Sequence, residues 1–328
     1  MGKKIVIPHI TRIEGHGKVS IHLDDAGNVE STQFHVTQVR GFEKFVEGRP
    51  YYEMPAITAR ICGICPISHL LASVKACDAI MAVRIPKTAT LLRELLHCAQ
   101  IVQSHALSFF HLSAPDLLLG MDSDPKKRNI VGILEQHPDI ARDGIALRKF
   151  GQSAIERMAG ERVHPSWTVP GGVNAPLSAD SRDAILSEIG IAKSIIRRAL
   201  KLFVSVIDRF EDEIASFGNE PTMYAGLVSA AGDLRLYDGI LRFRDPAAGG
   251  TVAEVEDPLD YATYIGEGVL PHSYLKAPYF KPRGFPEGNY RVGPLARLNV
   301  AERCGTPEAD ATARAKAHTT ATRSAASS

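Results

Sequence analysis

The chain has 328 residues, of which 45% are hydrophobic and 23% are charged, as in an ordinary soluble globular protein. Its formal net charge of +1 gives no global electrostatic reason to expect a nucleic-acid partner. No uncharged apolar run is long enough for a membrane span, and five cysteines without a recognisable signal peptide favour a reducing cytoplasm over a disulfide framework.

Two alternating segments near the N-terminus predict a small antiparallel sheet. A short apolar run occupies residues 3–8, and residues 18–24 then alternate between apolar and polar side chains. Turn-forming residues at 25–28 separate this segment from a second alternating one at 29–39. We expect these segments to pair within one sheet.

A group of ionisable residues lies between the first run and this sheet. If the chain is extended here, Arg12, Glu14 and His16 share one face, because side chains in a strand alternate with a period of two. Such a face is either a solvated sheet edge or part of a functional site. Spacing alone favours the solvated edge, because these residue types are seldom buried.

A short helix is predicted over residues 40–49, ending at Gly48. Glu43 is one of several charged side chains in it. On pattern alone it is a surface carboxylate, because isolated carboxylates in a charged segment are rarely ligands.

A pair of cysteines at the start of the next helix is the strongest local motif. Cys62 and Cys65 are separated by two residues, and Gly63 between them allows a tight backbone turn. Pro66 suits the first position of a helix, so Cys65 would lie near the positive end of the helix dipole, where a thiolate is favoured. With His69 one turn into the helix, the motif predicts a metal or redox site.

The cysteine pair alone leaves other interpretations open. It could be a pair of ordinary thiols or a thioredoxin-like redox pair, although the expected βαβ context is missing. A c-type haem site needs histidine directly after the second cysteine, and structural zinc usually needs two paired clusters. The remaining cysteines are single and scattered: Cys77, Cys98 and Cys304.

Long helical patterns follow. Residues 88–113 are apolar on most sides, which predicts a helix buried in a large core, and polar residues inside the pattern argue against a lipid span. His105 and His111 could be ligands, although histidines in such a pattern are more often hydrogen-bonded core residues. Further helices are predicted at 139–158, at 181–217 and from 293, with an irregular loop at 164–173 and a mixed region at 224–286.

The composition changes at Gly305. Residues 305–328 contain no aromatic residue and no aliphatic residue larger than alanine. Such a segment cannot bury enough apolar surface to offset the entropy of ordering. We therefore predict a folded domain over residues 1–304 and a disordered, low-complexity tail over 305–328.

Taken in chain order, several motifs resemble those of the large subunit of nickel–iron hydrogenases. The similarity extends from about residue 5 to residue 304 and is strongest toward the soluble, NAD-linked bidirectional branch. The segments that carry it are TRIEGH at 11–16, RGFE at 40–43, RICGIC at 60–65 with His69, SH at 104–105 with HL at 111–112, HP at 164–165 with PGGV at 170–173, and GPLAR at 293–297.

The resemblance implies a metal-binding role for several residues. Cys62 would be a terminal thiolate on nickel, and Cys65 would bridge nickel to an iron that carries diatomic ligands. Soft thiolates suit a redox-active late transition metal. Glu43 would supply an oxygen ligand to a nearby magnesium ion, as hard cations prefer.

The resemblance also implies supporting roles. Glu14 would be the first group to relay protons from the site, which reverses the solvated-edge interpretation for that residue. His69 would lie around the metal ligands and hydrogen-bond toward a bridging sulfur. Arg60 and His16 would lie in the same surrounding layer.

The implied function is reversible H2 oxidation to protons and electrons. Electrons would pass to an iron–sulfur small subunit, because this chain has too few cysteines for clusters of its own. A diaphorase module using NAD would complete the complex. The implied fold is mostly α with a small N-terminal antiparallel β-sheet on a helical bundle that is incomplete at the C-terminus.

The sequence departs from the family near its end. The family carries a second Cys-x-x-Cys motif, followed by histidine, which completes four thiolates around nickel. Here Cys304 is alone, and the family's later arginine-bearing loop and C-terminal histidine are absent as well. We therefore expect truncation or a frame shift near residues 306–313, an incomplete ligand set, and a chain that is inactive as it stands.

Two other functions remain open on the sequence, and so does a non-functional fragment that still docks its small subunit. The first is a metal-free electron-transfer scaffold related to the quinone-site subunit of respiratory complex I, although such a relative has no use for the cysteine pair. The second is a zinc or redox-switch protein using Cys62, Cys65, His69 and Glu43. Metal analysis distinguishes them, because zinc alone favours the second.

Overall fold

The computed structural model describes residues 3–39 and 41–313. The chain divides into two compact units, Met1–Gly218 and Asn219–Ser328. The single domain predicted over residues 1–304 therefore spans both units. No helix in the described ranges is both long and apolar enough to traverse a bilayer.

The first unit begins with the predicted antiparallel sheet. Its strands are paired in the order β1-β2-β3, with Ile5 opposite Ile21 and Ile21 opposite Thr32. Asp24 accepts hydrogen bonds from the backbone N–H groups of residues 26 and 28, which closes the turn between the second and third strands. The strands are β1 (Lys4–Ile7), β2 (Gly17–Leu23) and β3 (Val29–Val36).

Helices form the rest of the first unit. They are α1 (Phe42–Val46), α2 (Met54–Ala59), α3 (Pro66–Ile80), α4 (Lys87–Ala106), α5 (Ala114–Leu119), α6 (Ile130–Gln136), α7 (Pro138–Ala159), α8 (Ala179–Val206) and α9 (Glu211–Ser216). A short two-stranded ribbon, β4 (Thr168–Val169) with β5 (Gly172–Val173), precedes α8. The predicted mostly helical fold with a small N-terminal antiparallel sheet is confirmed.

The core of this unit lies among α4, α7 and α8. A buried cluster joins Ala106, Phe110, Leu147, Ala192 and Ile195. At Gly151 the backbones of α4 and α7 come so close that a Cβ atom there would lie 2.8 Å from the backbone nitrogen of Gln103. The glycine is therefore what permits this helix contact.

Two predicted helices are more complex than their patterns indicated. The helix predicted over 88–113 leaves the α conformation after Ala106 and continues as a π-helical stretch, Leu107–Ser113. The helix predicted over 181–217 is interrupted by a 3₁₀ turn, Ile207–Phe210. Hydrophobic periodicity does not distinguish α-, π- and 3₁₀-helical turns over so short a segment. The spacing of the apolar residues differs between them by only about one residue per turn.

The second unit is built on a five-stranded sheet that the sequence had indicated only as a mixed region. The path is β12-β6-β8-β9, with β7 paired to β6, and β12 runs parallel to β6. A smaller ribbon pairs β10 with β11. The elements are β6 (Met223–Val228), β7 (Leu234–Arg235), β8 (Ile240–Asp245), β9 (Gly250–Val255), α10 (Tyr261–Tyr264), β10 (Ile265–Gly268), β11 (Ala277–Phe280), β12 (Tyr290–Arg291) and α11 (Pro294–Val300).

The core of the second unit joins Met223, Ala225, Phe243, Val255 and Phe280. Helix α11 lies close against β6, since a Cβ at Gly226 would lie 2.8 Å from a side-chain methyl of Val300. Residues 307–313 are helical, whereas the sequence predicted disorder from Gly305. Asp310 in this helix accepts a 2.7 Å hydrogen bond from the Cys304 N–H. Residues 314–328, the rest of the predicted tail, lie outside the described residues.

Candidate metal centre

The cysteine pair lies in the loop between α2 and α3. Helix α3 begins at Pro66, as predicted, with Cys65 as its N-cap residue. The Cys62 sulfur accepts hydrogen bonds from the backbone N–H groups of Ile64, at 3.3 Å, and Cys65, at 3.2 Å. The loop thus folds over the first sulfur and brings the second one next to it.

Three side chains converge at this point. The Sγ atoms of Cys62 and Cys65 and a ring nitrogen of His69 all lie within 4.8 Å of one another. Cys65 Sγ is 3.6 Å from His69 Nε2. Cys62 is 6% exposed, and the other two are half-buried. In the described part of the chain, this is the one group of three or more His, Cys, Asp or Glu side chains that converge closely enough to hold a metal ion.

Glu14 adds a carboxylate to the group. Its Oε1 lies 3.5 Å from Cys62 Sγ. The segment that carries it is not extended as predicted, because Arg12 has a φ of 57° and Gly15 a φ of 83°. Arg12 Nη1 donates to the Leu112 carbonyl at 2.9 Å, and Nη2 lies 2.7 Å from Asp116 Oδ1. These contacts hold the turn that presents Glu14 to the cysteines.

The protonation of the site corrects the prediction of a thiolate at Cys65. Burial, reinforced by the neighbouring Cys62 and Glu14, raises the pKa of Cys65 to about 12. Burial lowers the pKa of His69, against the opposing attraction of Glu14. The helix N-terminus is thus outweighed by desolvation and by nearby acidic groups, and both side chains favour their neutral forms.

Three predicted site residues lie outside the converging group. Glu43 is exposed on α1. His16 is exposed, and its carbonyl accepts a hydrogen bond from the Thr37 N–H at 3.1 Å. Arg60 is the C-cap residue of α2; it is exposed and donates to the Ala56 carbonyl in the last turn of that helix, at 2.8 Å. The roles assigned to these residues remain predictions.

The histidines left open on α4 and beyond are also outside the group. His105 is exposed and His111 is half-buried. Burial, followed by the charge of Arg148, lowers the pKa of His111.

Two glutamines next to the cysteine loop were missed as site residues. Gln100 Nε2 and Gln103 Nε2 both donate to the Ile64 carbonyl, at 2.9 and 2.6 Å. They are 1% and 4% exposed. The signal for them is a pair of polar residues three apart within an apolar helix; of the two, only Gln100 belongs to the polar residues that exclude a lipid span.

A buried ion pair was missed as well. Arg93 is 0% exposed, and its Nη1 lies 2.6 Å from Asp78 Oδ2. The same guanidinium donates to the carbonyls of Val169 and Gly172, at 2.7 and 3.0 Å, while Asp78 Oδ1 accepts from the Gly171 N–H at 2.7 Å. The irregular loop at 164–173 is thereby fixed to α3 and α4.

Comparison with known families gives two matches along the N-terminal part of the chain. The family model described as nickel-dependent hydrogenase matches residues 40–129. The HoxL-like family model matches residues 4–39.

Curated relatives match nearly the whole chain. One subunit of the F420-non-reducing hydrogenase vhu from Methanocaldococcus jannaschii is 46% identical over 94% of this chain and 73% of its own length. The NAD-reducing hydrogenase HoxS subunit beta of Cupriavidus necator is 39% identical over 94% of this chain and 65% of its own length. This chain therefore spans about two thirds to three quarters of these relatives.

Solved structures agree with these relatives. A crystal structure of an NAD+-reducing [NiFe]-hydrogenase in the H2-reduced state superposes with a TM-score of 0.91 at 44% identity, over 95% of this chain and 69% of that one. The reduced Ni-Fe-Se hydrogenase of D. vulgaris Hildenborough superposes with a TM-score of 0.73 at 22% identity, over 92% of this chain and 67% of that one. This second similarity supports the fold alone. As its motifs predicted, the chain belongs to the nickel-dependent hydrogenase large-subunit family.

Proposed function

We propose that this chain is the metal-binding subunit of a hydrogenase that oxidises H2 reversibly to protons and electrons. The observation that carries the proposal is the convergence of the Cys62 and Cys65 sulfurs with His69, next to the Glu14 carboxylate. Paired thiols suit a redox-active late transition metal, and a carboxylate beside them can take up the proton that heterolytic H2 cleavage releases.

Cys62 and Cys65 supply two of the four thiolates that the family resemblance implies, so the donor set fits part of a nickel–iron centre. Two sulfur ligands at the buried end of a fixed loop favour a soft, redox-active metal over magnesium or calcium. Cys62 would hold the nickel, and Cys65 would help to hold both the nickel and the iron. When bound, such a centre would supply the redox and Lewis-acid chemistry, and coordination would hold both cysteines as thiolates in spite of their burial.

Glu14 is proposed to move the proton. Its Oε1 is within reach of Cys62 Sγ, at 3.5 Å, so it can accept a proton released at that sulfur. Glu14 is also exposed, so it can pass the proton on to water. This geometry supports the relay role over the solvated-edge interpretation.

The surrounding residues keep their proposed roles. His69 is held 3.6 Å from the Cys65 sulfur and would orient it through a hydrogen bond. Glu43 is proposed as an oxygen ligand for magnesium, and Arg60 and His16 as residues around the centre. The last three roles rest on the family resemblance rather than on a contact with the cysteines.

We further propose that an iron–sulfur small subunit takes up the electrons and that a diaphorase module passes them to NAD. The similarity to the NAD+-reducing hydrogenase structure, at a TM-score of 0.91, supports NAD as the electron acceptor. The relatives are named as subunits of larger enzymes, which supports the partner subunits. The five cysteines are all free thiols, which supports a cytoplasmic location.

The comparisons give no support to the expectation of an inactive chain, nor to a metal-free scaffold. The two thiols and one histidine could also hold zinc, which makes zinc binding the alternative to test.

Metal analysis of the chain, purified anaerobically with its partner subunits, tests the proposal. We expect nickel and iron in the wild type and their loss in Cys62→Ser and Cys65→Ser. Glu14→Gln should keep the metals but lower the rate of H2-dependent dye reduction by about 10²–10⁴-fold. Zinc as the only bound metal, or wild-type turnover in Glu14→Gln, would refute the proposal.

A further inference from the structure

Two buried glutamine side chains of α4 converge on a single backbone carbonyl between the metal-binding cysteines. Gln100 Nε2 and Gln103 Nε2 donate to the Ile64 oxygen at 2.9 and 2.6 Å. Because a carbonyl only accepts, both side-chain amides must present their NH2 groups to it. A carbonyl oxygen has two lone pairs and can therefore accept both hydrogen bonds. We call this pair of side chains the amide clamp.

The same peptide unit reaches the Cys62 sulfur on its other side. The N–H of Cys65, which belongs to the Ile64–Cys65 peptide, donates to Cys62 Sγ at 3.2 Å. A trans peptide is planar and directs its C=O and N–H in opposite directions. Holding the oxygen against α4 therefore aims the N–H at the sulfur.

The amide clamp is not explained by stability alone. Gln100 is 1% exposed, and its Oε1 is buried without a hydrogen-bond partner among the described residues. Burying an amide with its acceptor unpaired is unfavourable, and an aliphatic side chain would fill the same space without that cost. What the two glutamine amides provide instead is a pair of hydrogen-bond donors directed at the Ile64 oxygen.

From these contacts we infer that Gln100 and Gln103 are positioning residues for the metal centre, acting through the Ile64–Cys65 peptide on the Cys62 sulfur. Donors on the oxygen polarise the peptide and strengthen the N–H hydrogen bond to sulfur. Hydrogen bonds of this kind orient a ligand and modulate the electron density that it donates to a metal. The inference rests on the proposed function, because it takes Cys62 to be a metal ligand.

The variants that test it remove the donors while keeping the length of the side chain. They are Gln100→Met, Gln103→Met and the double variant of the full-length chain. Leu96→Ala controls for general loosening of α4, since Leu96 is fully buried on the same helix. Gln136→Met, on the exposed side of α6, controls for the substitution itself.

Two measurements separate the inference from the proposed function. Amide hydrogen exchange of the peptide containing Ile64 and Cys65 should be faster in the double variant by roughly tenfold or more, clearly less accelerated in Leu96→Ala and unchanged in Gln136→Met. Titration with nickel sulfate under anaerobic conditions, followed by thiolate-to-nickel absorption, should show affinity lowered by about 10–100-fold with a shifted band.

The outcomes are distinct. A wild-type chain that binds no nickel refutes the proposed function, while the exchange measurement still decides whether the clamp holds the loop. If the wild type binds nickel and the double variant matches it in both exchange and titration, the inference is overturned and the proposed function stands. A loss in Leu96→Ala equal to that in the double variant also overturns it.

Discussion

Replacing Asp78 by asparagine removes one charge from the buried ion pair with Arg93 while leaving the shape of the side chain intact. The variant keeps an oxygen for the Gly171 N–H, which Asp78 Oδ1 accepts at 2.7 Å. It loses the carboxylate 2.6 Å from Arg93 Nη1. Arg93 is 0% exposed, so its buried charge loses this carboxylate, while its hydrogen bonds to the carbonyls of residues 169 and 172 remain.

A buried charge that loses its partner destabilises a fold by about 3–5 kcal/mol. For a unit of this size, each kcal/mol corresponds to roughly 2–4 °C in melting temperature, so Asp78→Asn should lower Tm by about 6–20 °C. Trp167 is the only tryptophan in the chain and lies in the loop that Arg93 fixes. Its Nε1 donates to the Ala175 carbonyl at 2.8 Å. Its fluorescence during heating therefore reports on this unit directly.

Asp143→Asn provides the matched control. Asp143 pairs with Arg198 through two hydrogen bonds, at 2.8 and 2.6 Å, but this pair lies on the surface. Its loss should have a much smaller effect, because solvent screens exposed charges. Equal shifts in the two variants would contradict the argument from burial.

Two further substitutions test the helix contact, and a pH titration tests the first hairpin. Gly151→Ala should destabilise the chain by about 1–3 kcal/mol in urea unfolding, because its Cβ would lie 2.8 Å from the Gln103 nitrogen. Gly190→Ala on α8, where a Cβ meets nothing within 4 Å, should instead stabilise it by about 0.5–1 kcal/mol; a loss in both would refute the close-approach argument. Hydrogen bonds from Asn28 lower the pKa of Asp24 below 3.8, so its contribution to the hairpin is present above that pH and is lost as pH falls through the lower folded-state value. Carboxyl chemical shifts measured against pH should show the depressed pKa in the wild type, and an Asp24 titration at its ordinary value would contradict this reasoning.

Local chemistry in the sequence predicted the start of α3 and the first sheet well. Pro66 opens its helix as expected, because the proline ring suits a position whose N–H has no partner. The turn after β2 was predicted from Asp24 and its neighbours, because the Asp24 carboxylate accepts hydrogen bonds from N–H groups two and four residues later. Both features depend on residues within four positions of one another.

The contacts that complete the candidate site join distant parts of the chain, and the sequence pattern did not reveal them. Gln103 meets a carbonyl 39 residues earlier, and Arg12 meets one 100 residues later. The left-handed conformation of Arg12 was also unexpected, because a non-glycine residue rarely adopts it without tertiary contacts. The sheet of the second unit was missed for the same reason, since β12 pairs with β6 across a long separation.

The π-helical stretch Leu107–Ser113 gives the chain a point of unusual sensitivity to length. A π turn accommodates one residue more than an α turn, so deleting a single residue here would remove that extra residue and join α4 to α5 through a helix kinked at Pro115. Everything beyond the deletion would then swing by about 100° around the helix axis. The Leu112 carbonyl and Asp116 would leave Arg12, and the turn bearing Glu14 would lose its anchor. Deleting one residue in this segment would therefore rotate the following residues about the helix axis, whereas a deletion in a surface loop need not.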